Sequence, residues 1–151
     1  MAKQFSRILV PVSGEEPDDE AVALACNLAK DGRSLISVLY VIQVPRPLPL
    51  DAEIPSETAK GEGVLQQMEK IGQQNKRHLE GQIIQARDVG PAVLYEIIQQ
   101  KVDLVVVGTS VQGRYGTPSL SEPVAYLLKH APCQVIVSRE PQRRHGEPDA
   151  E

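Results

Sequence analysis

The chain has 151 residues, enough for one domain that buries a core without internal staples. Aromatic residues make up 3% of the chain and the formal net charge is -4, which excludes the stacking platforms and basic surface that nucleic-acid binding needs. Cys26 and Cys133 fit no metal or disulfide spacing, and no apolar run approaches the roughly 20 residues that span a bilayer, so we expect a cytoplasmic protein without a metal site, a nucleic-acid partner or direct membrane insertion.

The chain opens with a predicted strand followed by a predicted helix. The apolar run Arg7–Val12 indicates a strand that Ser13-Gly14 ends. Acids and a proline over residues 15–20 suit the first turn of a helix. The apolar face of that helix covers residues 21–29, and Asp31-Gly32 should end it.

A second buried strand is predicted over residues 34–44. The proline-rich segment 45–50 then predicts an extended surface connection, because proline lacks an amide hydrogen and restrains the residue before it. Apolar residues at helical spacing predict a helix over residues 56–75. Its inward face comprises Val64, Leu65, Met68 and Ile71. The more polar run 80–86 is typical of a strand at a sheet edge.

A third helix is predicted over residues 90–101, beginning at Gly90-Pro91. Its inward residues are Val93, Leu94, Ile97 and Ile98. The β-branched run 102–110 follows and ends in a glycine and two hydroxyl residues. This pattern indicates a central strand of a parallel sheet, buried on both faces. Ligands of such sheets lie beyond the carboxyl ends of the strands.

The last predicted elements are a helix that Ser121 caps and a strand over residues 134–138. The inward face of this helix comprises Val124, Leu127 and Leu128, and Pro132 should end it. The segment 140–151 is polar and rich in proline, which predicts a disordered tail. Five strands alternating with four helices predict an α/β fold with a parallel sheet, since each right-handed crossover returns the chain in the same direction.

Four sequence blocks, at residues 8–14, 90–92, 103–109 and 130–137, together resemble the universal stress protein (UspA-like) family. The last block, His-Ala-Pro-Cys-Gln-Val-Ile-Val, is the most distinctive. Segments 44–51 and 85–91 are similar to a subgroup whose domains are also found attached to amino-acid permeases. This second resemblance implies a transporter or signalling protein as a partner.

The family resemblance implies an open three-layer fold, like that of adenine nucleotide alpha hydrolases, with sheet order 3-2-1-4-5 and helices on both faces. The domain is expected over residues 1–139, with the tail at 140–151 outside it. The resemblance also implies a homodimer joined through the last strand. The interface residues would be Val135, Ile136 and Val137. An apolar edge strand of this kind is prone to aggregation unless another chain pairs with it.

Family members of the nucleotide-binding type hold ATP between the first and fourth strands. The resemblance therefore implies ATP or another adenine nucleotide as the ligand class here. Phosphates in such sites lie against a glycine loop and a helix N-terminus. The candidate binding residues are Pro11, Val12, Ser13, Val41, Gly108, Thr109, Ser110, Gly113, Arg114, Ser121 and Glu122.

The sequence departs from the ATP-binding pattern of the family at several positions. Ser13 stands where the pattern has an aspartate, and Val111 stands at the second loop glycine. Ser121-Glu122 replaces the final pair of glycine and hydroxyl residue. With a small gap in the alignment, Gly113 or Gly116 serves as a loop glycine instead.

Charge gives a further reason to expect an altered site. Glu122 would put a carboxylate at a helix start where a phosphate otherwise lies, and the acids over residues 15–20 crowd the other helix start at the crevice. Arg114 would offset part of this charge. Like charges about 4 Å apart repel by about 4 kcal/mol at an effective dielectric near 20. Because the sequence shows no acid–base pair or activated nucleophile, we expect a non-catalytic regulatory domain with a degenerate nucleotide site. The alternative is a sensor that still binds an adenine nucleotide.

Overall fold

The computed structural model describes residues 5–29, 33–110 and 120–139. Its elements are, in chain order, β1 (Arg7–Val12), α1 (Pro17–Leu28), β2 (Leu35–Gln43), α2 (Pro55–Gln74), β3 (Leu79–Ala86), α3 (Val89–Gln99), β4 (Leu104–Thr109), α4 (Glu122–His130) and β5 (Gln134–Arg139). These strands form a parallel sheet in the order β3-β2-β1-β4-β5, which confirms the predicted fold class and strand order.

Side chains of the central strands alternate between two apolar layers, one on each face of the sheet. Ile8 and Val10 of β1 pack in the layer shared with α1 and α2, whereas Leu9 packs in the layer shared with α3 and α4. In β4, Val106 belongs to the first layer and Val105 to the second. The sheet is therefore covered on both faces, which explains the continuous apolar runs of its central strands.

The amino ends of β1 and β4 are joined by the carboxylate of Asp103. Its two oxygens accept hydrogen bonds from the backbone N–H groups of Ser6 and Arg7, at 2.8 and 2.9 Å. This contact fixes the relative position of the two strands whose carboxyl ends bound the predicted ligand crevice.

Three residues that were predicted to face inward are exposed instead. Ile98 of α3 is 55% exposed, Leu128 of α4 is 49% exposed and Leu28 of α1 is 37% exposed. Helices α3 and α4 each bury a narrower stripe than their apolar residues suggested: Val93 and Ile97 on α3, and Val124 and Leu127 on α4. Ile98 and Leu128 each lie one position further round the helix, a rotation of about 100° that turns them to solvent.

The proline-rich connection between β2 and α2 lies on the surface, as predicted, but it is not extended. It folds into consecutive turns, in which Leu48 N–H donates to the Pro45 carbonyl and Ala52 N–H donates to the Pro49 carbonyl, both at 3.0 Å. Proline cannot donate a backbone hydrogen bond, but its carbonyl still accepts one.

Within the described ranges, none of the helices combines the length and the apolar character that crossing a membrane requires. The predicted disordered tail at 140–151 and the predicted helix stop at Asp31-Gly32 lie outside the described residues.

Candidate functional site

The predicted ligand crevice lies at the carboxyl edge of the sheet, where the strand order reverses between β1 and β4. Among the clefts that the described residues form along this edge, two are lined by Ser13, which directly follows β1. Ser13 therefore marks the place where the two clefts adjoin.

The first cleft, here called the β1/β4 cleft, has a volume of about 420 Å³ and is rich in hydroxyl groups. Its lining comprises Ser13, Glu15, Gly108, Thr109, Ser110, Leu120, Ser121 and Pro123. Serine and threonine hydroxyls donate and accept hydrogen bonds, so this lining suits sugar hydroxyls or a phosphate. The Glu15 carboxylate opposes the accumulation of negative charge in the same cleft.

The second cleft, the β1/β2 cleft, has a volume of about 270 Å³ and is mainly apolar. Its lining comprises Pro11, Val12, Ser13, Leu39, Tyr40, Val41, Gln43, Glu57 and Val89. An apolar slot with a few polar groups at its edge is the usual form of a small-molecule site. This composition suits a flat heterocyclic ring.

The two clefts bring together most of the residues predicted from the sequence. Ser13, Gly108, Thr109, Ser110 and Ser121 meet in the β1/β4 cleft. Pro11, Val12 and Val41 meet in the β1/β2 cleft. Gly113 and Arg114 lie outside the described residues, as do Val111 and Gly116.

Glu122 is the first residue of α4, as its sequence context suggested, but it lines a different cavity from the β1/β4 cleft. It lines a small hollow between the N-termini of α3 and α4, together with Asp88 and Tyr126. This α3/α4 hollow has a volume of about 100 Å³, too small for a nucleotide. Among the described residues, the acid that lines the β1/β4 cleft is Glu15, so its carboxylate in the β1–α1 turn contributes repulsion of phosphates there.

Ser121 occupies the position before the first residue of α4, as predicted for a cap, but its side chain makes no capping hydrogen bond. Its hydroxyl is therefore left for other partners in the cleft that it lines.

Gly108 is required by packing between β4 and α1. A Cβ atom at this position would lie 2.4 Å from the carbonyl oxygen of Pro17, the first residue of α1. A side chain would therefore push the start of α1 away from the sheet. The glycine that the sequence assigned to phosphate binding thus has a structural reason to be present whether or not a ligand binds.

Asp18, which the sequence suggested only as one of several acids in the first turn of a helix, organises the turn between β1 and α1. Its side chain is 4% exposed, and its Oδ2 accepts hydrogen bonds from the N–H groups of Ser13 and Gly14, at 3.0 and 2.7 Å. Gly14 has a φ of 93°, which favours glycine at the turn. Burial raises the pKa of the Asp18 carboxyl, although these backbone hydrogen bonds act in the opposite direction.

Helical spacing could have revealed Asp18. It lies three, four and seven residues before Ala21, Val22 and Ala25, all of which are fully buried. An acid on that stripe must lie against the sheet rather than in solvent. Its carboxylate already occupies two N–H groups at the carboxyl end of β1, so those donors are not available to a ligand phosphate.

The predicted dimer residues Val135, Ile136 and Val137 are half-buried on β5, which forms one edge of the sheet. Ile136 packs against the α1 and α2 layer. Pairing of this edge with a second chain stays a prediction.

Comparison with known proteins identifies the family. The model of the universal stress protein family matches residues 4–139. A universal stress protein of Methanocaldococcus jannaschii is 25% identical over 145 residues, covering 92% of this chain and 85% of that protein.

Two solved structures show the same fold. UspA from Lactobacillus plantarum has a TM-score of 0.72 at 22% identity, covering 91% of this chain and 100% of that one. The universal stress protein from Archaeoglobus fulgidus, solved in complex with dAMP, has a TM-score of 0.69 at 12% identity, covering 89% and 98%. Because the family model spans nearly the whole described chain, and the strand order is the one this family implied, the chain belongs to the universal stress protein family.

Proposed function

We propose that this chain is a non-catalytic regulatory protein that binds an adenine nucleotide with a short phosphate chain. The observation that carries the proposal is that Ser13 lines both an apolar cleft and a hydroxyl-rich cleft. Such a pair of neighbouring clefts suits a nucleotide, whose base is flat and whose sugar and phosphate are polar. The dAMP complex of the Archaeoglobus fulgidus relative supports the same ligand class.

The charge of the β1/β4 cleft favours a monophosphate over a triphosphate. Glu15 lines this cleft, and Asp18 already occupies the N–H groups of Ser13 and Gly14. Each added phosphate therefore brings more negative charge towards carboxylates without gaining those donors. Arg114, expected to offset this charge, lies outside the described residues.

Calorimetric titration with AMP and ATP, each with and without Mg²⁺, tests this proposal. We expect AMP to bind at least about tenfold more tightly than metal-free ATP. Mg²⁺ should reduce this difference in affinity, because it neutralises part of the phosphate charge of ATP. Glu15→Gln should strengthen ATP binding. Glu16→Gln, whose side chain lines a hollow against α2 instead, is the matched control. Metal-free ATP that binds as tightly as AMP would contradict the proposal.

A second candidate is a regulatory domain whose crevice binds no nucleotide. The engagement of both turn amides by Asp18 favours it, because an internal carboxylate then fills the place of an external anion. If neither AMP nor ATP gives a heat of binding at millimolar concentration, this candidate is favoured over the first.

The proposed protein does not hydrolyse ATP. The β1/β4 cleft is lined by hydroxyls and one carboxylate among the described residues, without a histidine or cysteine to activate them. We expect phosphate release from ATP at the same rate as in a Ser13→Ala control. Turnover above that control would overturn this part of the proposal.

We also propose that the protein acts as a homodimer through β5 in the cytoplasm, where Cys26 and Cys133 would stay unpaired.

A transporter or signalling partner stays a prediction. The two segments that suggested it contact each other, since the Arg87 guanidinium donates to the Pro45 carbonyl at 2.8 Å and Gln85 Nε2 donates to the Leu50 carbonyl at 2.8 Å.

A further inference from the structure

The hollow between α1 and α2, here called the α1/α2 groove, lies outside the two clefts of the proposed nucleotide site. It has a volume of about 470 Å³. Val64 and Met68 line it and pack against the core. A Cβ atom on Gly63, which also lines the groove, would meet nothing within 4 Å. The groove therefore combines an apolar surface with open space.

The α1 side of this groove carries negative charge. Glu15, Glu16 and Asp19 contribute carboxylates, whereas α2 contributes the ammonium group of Lys60. Among the residues that the structure describes, none forms a hydrogen bond or an ion pair with the side chains of these three acids. A positively charged segment that passes along this rim is attracted by all three carboxylates.

The chain itself contains such a segment shortly after β5, which ends at Arg139. The run Arg143-Arg144-His145 belongs to the segment 140–151, which lies outside the described residues. The other charged residues of that segment are acidic, at positions 140, 147, 149 and 151. Because like charges repel, the attraction to the groove is confined to residues 143–145.

The end of β5 lies close to the start of α1, because both contact β4 at Gly108. Ser138 of β5 is the strand partner of Gly108, and a Cβ atom on Gly108 would lie 2.4 Å from the carbonyl oxygen of Pro17. Since paired strands lie about 4.8 Å apart, Ser138 is separated from Pro17 by less than about 10 Å. Pro17 directly follows Glu15 and Glu16 on the rim of the groove.

The chain can reach the groove from Arg139 by passing the N-terminal end of α1. A helix is about 10 Å in diameter, and five extended residues span up to about 17 Å, so Arg144 can extend past that end. The long side chain of arginine adds to this reach. The distance is therefore compatible with docking inside one chain.

We propose that residues 143–145 dock on the rim of the α1/α2 groove of the same chain and pair with Glu15, Glu16 and Asp19. This interaction goes beyond the proposed function and does not depend on nucleotide binding. Because Glu15 also lines the β1/β4 cleft, docking brings the basic run to the edge of the ligand crevice.

Limited digestion of the full chain with trypsin tests this inference, with mass spectrometry following cleavage after Arg143 and Arg144. A Glu16→Gln/Asp19→Asn double variant leaves the cleaved sequence unchanged but removes two carboxylates from the rim. We expect its cleavage at these arginines, at low ionic strength, to be at least about threefold faster than in the unchanged protein, the effect of losing one or two exposed ion pairs.

Glu53→Gln/Glu62→Gln is the matched control, because it removes two carboxylates from a different hollow. We expect this control to be cleaved after residues 143 and 144 at the rate of the unchanged protein. Sodium chloride at about 1 M, which screens charges beyond about 3 Å, should abolish the difference between the rim variant and the control. Equal cleavage of the rim variant and the control at low ionic strength would overturn the docking.

Amide signals in nuclear magnetic resonance spectra of the full chain locate the contact. We expect Arg143→Gln/Arg144→Gln to shift the signals of Glu16, Asp19 and Gly63. Shifts confined to residues 140–151 would overturn the docking. Recovery of the groove signals when unlabelled unchanged protein is added to the labelled variant would show that the run docks on a second chain, and would overturn docking within one chain. Each result stands whether or not a nucleotide binds.

Discussion

The side chain of Asp18 stabilises the turn that connects β1 to α1, because its carboxylate accepts hydrogen bonds from the N–H groups of Ser13 and Gly14. Asp18→Ala leaves two partly buried donors without their acceptor, so we expect it to lower the free energy of unfolding by about 2 kcal/mol. Asp18→Asn keeps one acceptor oxygen and should cost less. Urea unfolding at pH 7, followed by circular dichroism, measures both. Equal stability of Asp18→Ala and the unchanged protein would contradict this role.

The raised pKa of Asp18 also predicts how stability changes with pH. A carboxyl whose pKa is higher in the folded state than in the unfolded chain binds more protons when folded, so protonation stabilises the fold. As pH falls from 7 through that raised value towards about 4, the unchanged protein should gain stability relative to Asp18→Asn. Urea titrations of both proteins at several pH values measure this difference. A difference that stays flat or shrinks on acidification would show the opposite sign.

Gly108 offers a test of packing at the edge of the crevice. Gly108→Ala places a methyl group against the backbone of Pro17, so we expect a loss of about 1–3 kcal/mol in the free energy of unfolding. Gly63, inside α2, is the control, because a Cβ there meets nothing within 4 Å. Gly63→Ala should stabilise the protein by up to about 1 kcal/mol through helix propensity. Equal effects of the two changes in urea unfolding would contradict the packing explanation.

At the scale of elements, the connection between β2 and α2 is held by side chains from the end of β3. Gln85 Nε2 donates to the carbonyls of Leu50 and Ala52, both at 2.8 Å, and the Arg87 guanidinium donates to the carbonyl of Pro45. Each donor thus supports a different turn of the connection.

Amide hydrogen exchange can separate these two contributions. We expect Gln85→Ala to speed exchange of the Ala52 amide about tenfold, the effect of losing about 1.4 kcal/mol of local stability, with little change at Leu48. Arg87→Ala should show the reverse pattern. Uniform acceleration at both amides in either variant would mean that the connection opens as one unit.

The order and type of the elements could be predicted because the core patterns repeat over many residues. Strands such as β4 are continuous apolar runs, and the inward stripe of α2 recurs at helical spacing. The turns at 45–52 could not be predicted, because they depend on donors from Gln85 and Arg87, more than 30 residues further along the chain. Local propensity contains no information about such long-range partners.

At the scale of the whole molecule, the strand order brings Ser13, Gly108 and Thr109 to one edge, and the family resemblance, which implied that order, was sufficient to group them. The direction of single side chains around the crevice was not predictable in the same way. Glu122 and Glu15 both stand near helix starts, yet Glu15 lines the β1/β4 cleft and Glu122 lines the α3/α4 hollow. Which side of a helix start an acid faces depends on how the helix packs, and that follows only from the assembled sheet.

The two edges of the sheet differ in a way that predicts which one pairs with a second chain. The β3 edge exposes Glu80 and Gln82, polar residues that discourage association, whereas the β5 edge carries Val135, Ile136 and Val137. Antiparallel pairing of β5 with its counterpart would satisfy the open backbone groups of both strands and bury these side chains. We therefore expect sedimentation velocity to give twice the 16.5 kDa chain mass.

Val137→Lys should weaken this dimer at least about tenfold, because it brings like charges together across the symmetric interface and removes apolar contact. Gln82→Lys places the same charge on the β3 edge and should leave the dimer unchanged. Both side chains are at least partly exposed, so each lysine can extend its ammonium group into solvent and the fold should persist. A concentration-independent monomer of the unchanged protein would refute pairing through β5. A dimer that resists Val137→Lys but dissociates with Gln82→Lys would assign the interface to the opposite edge.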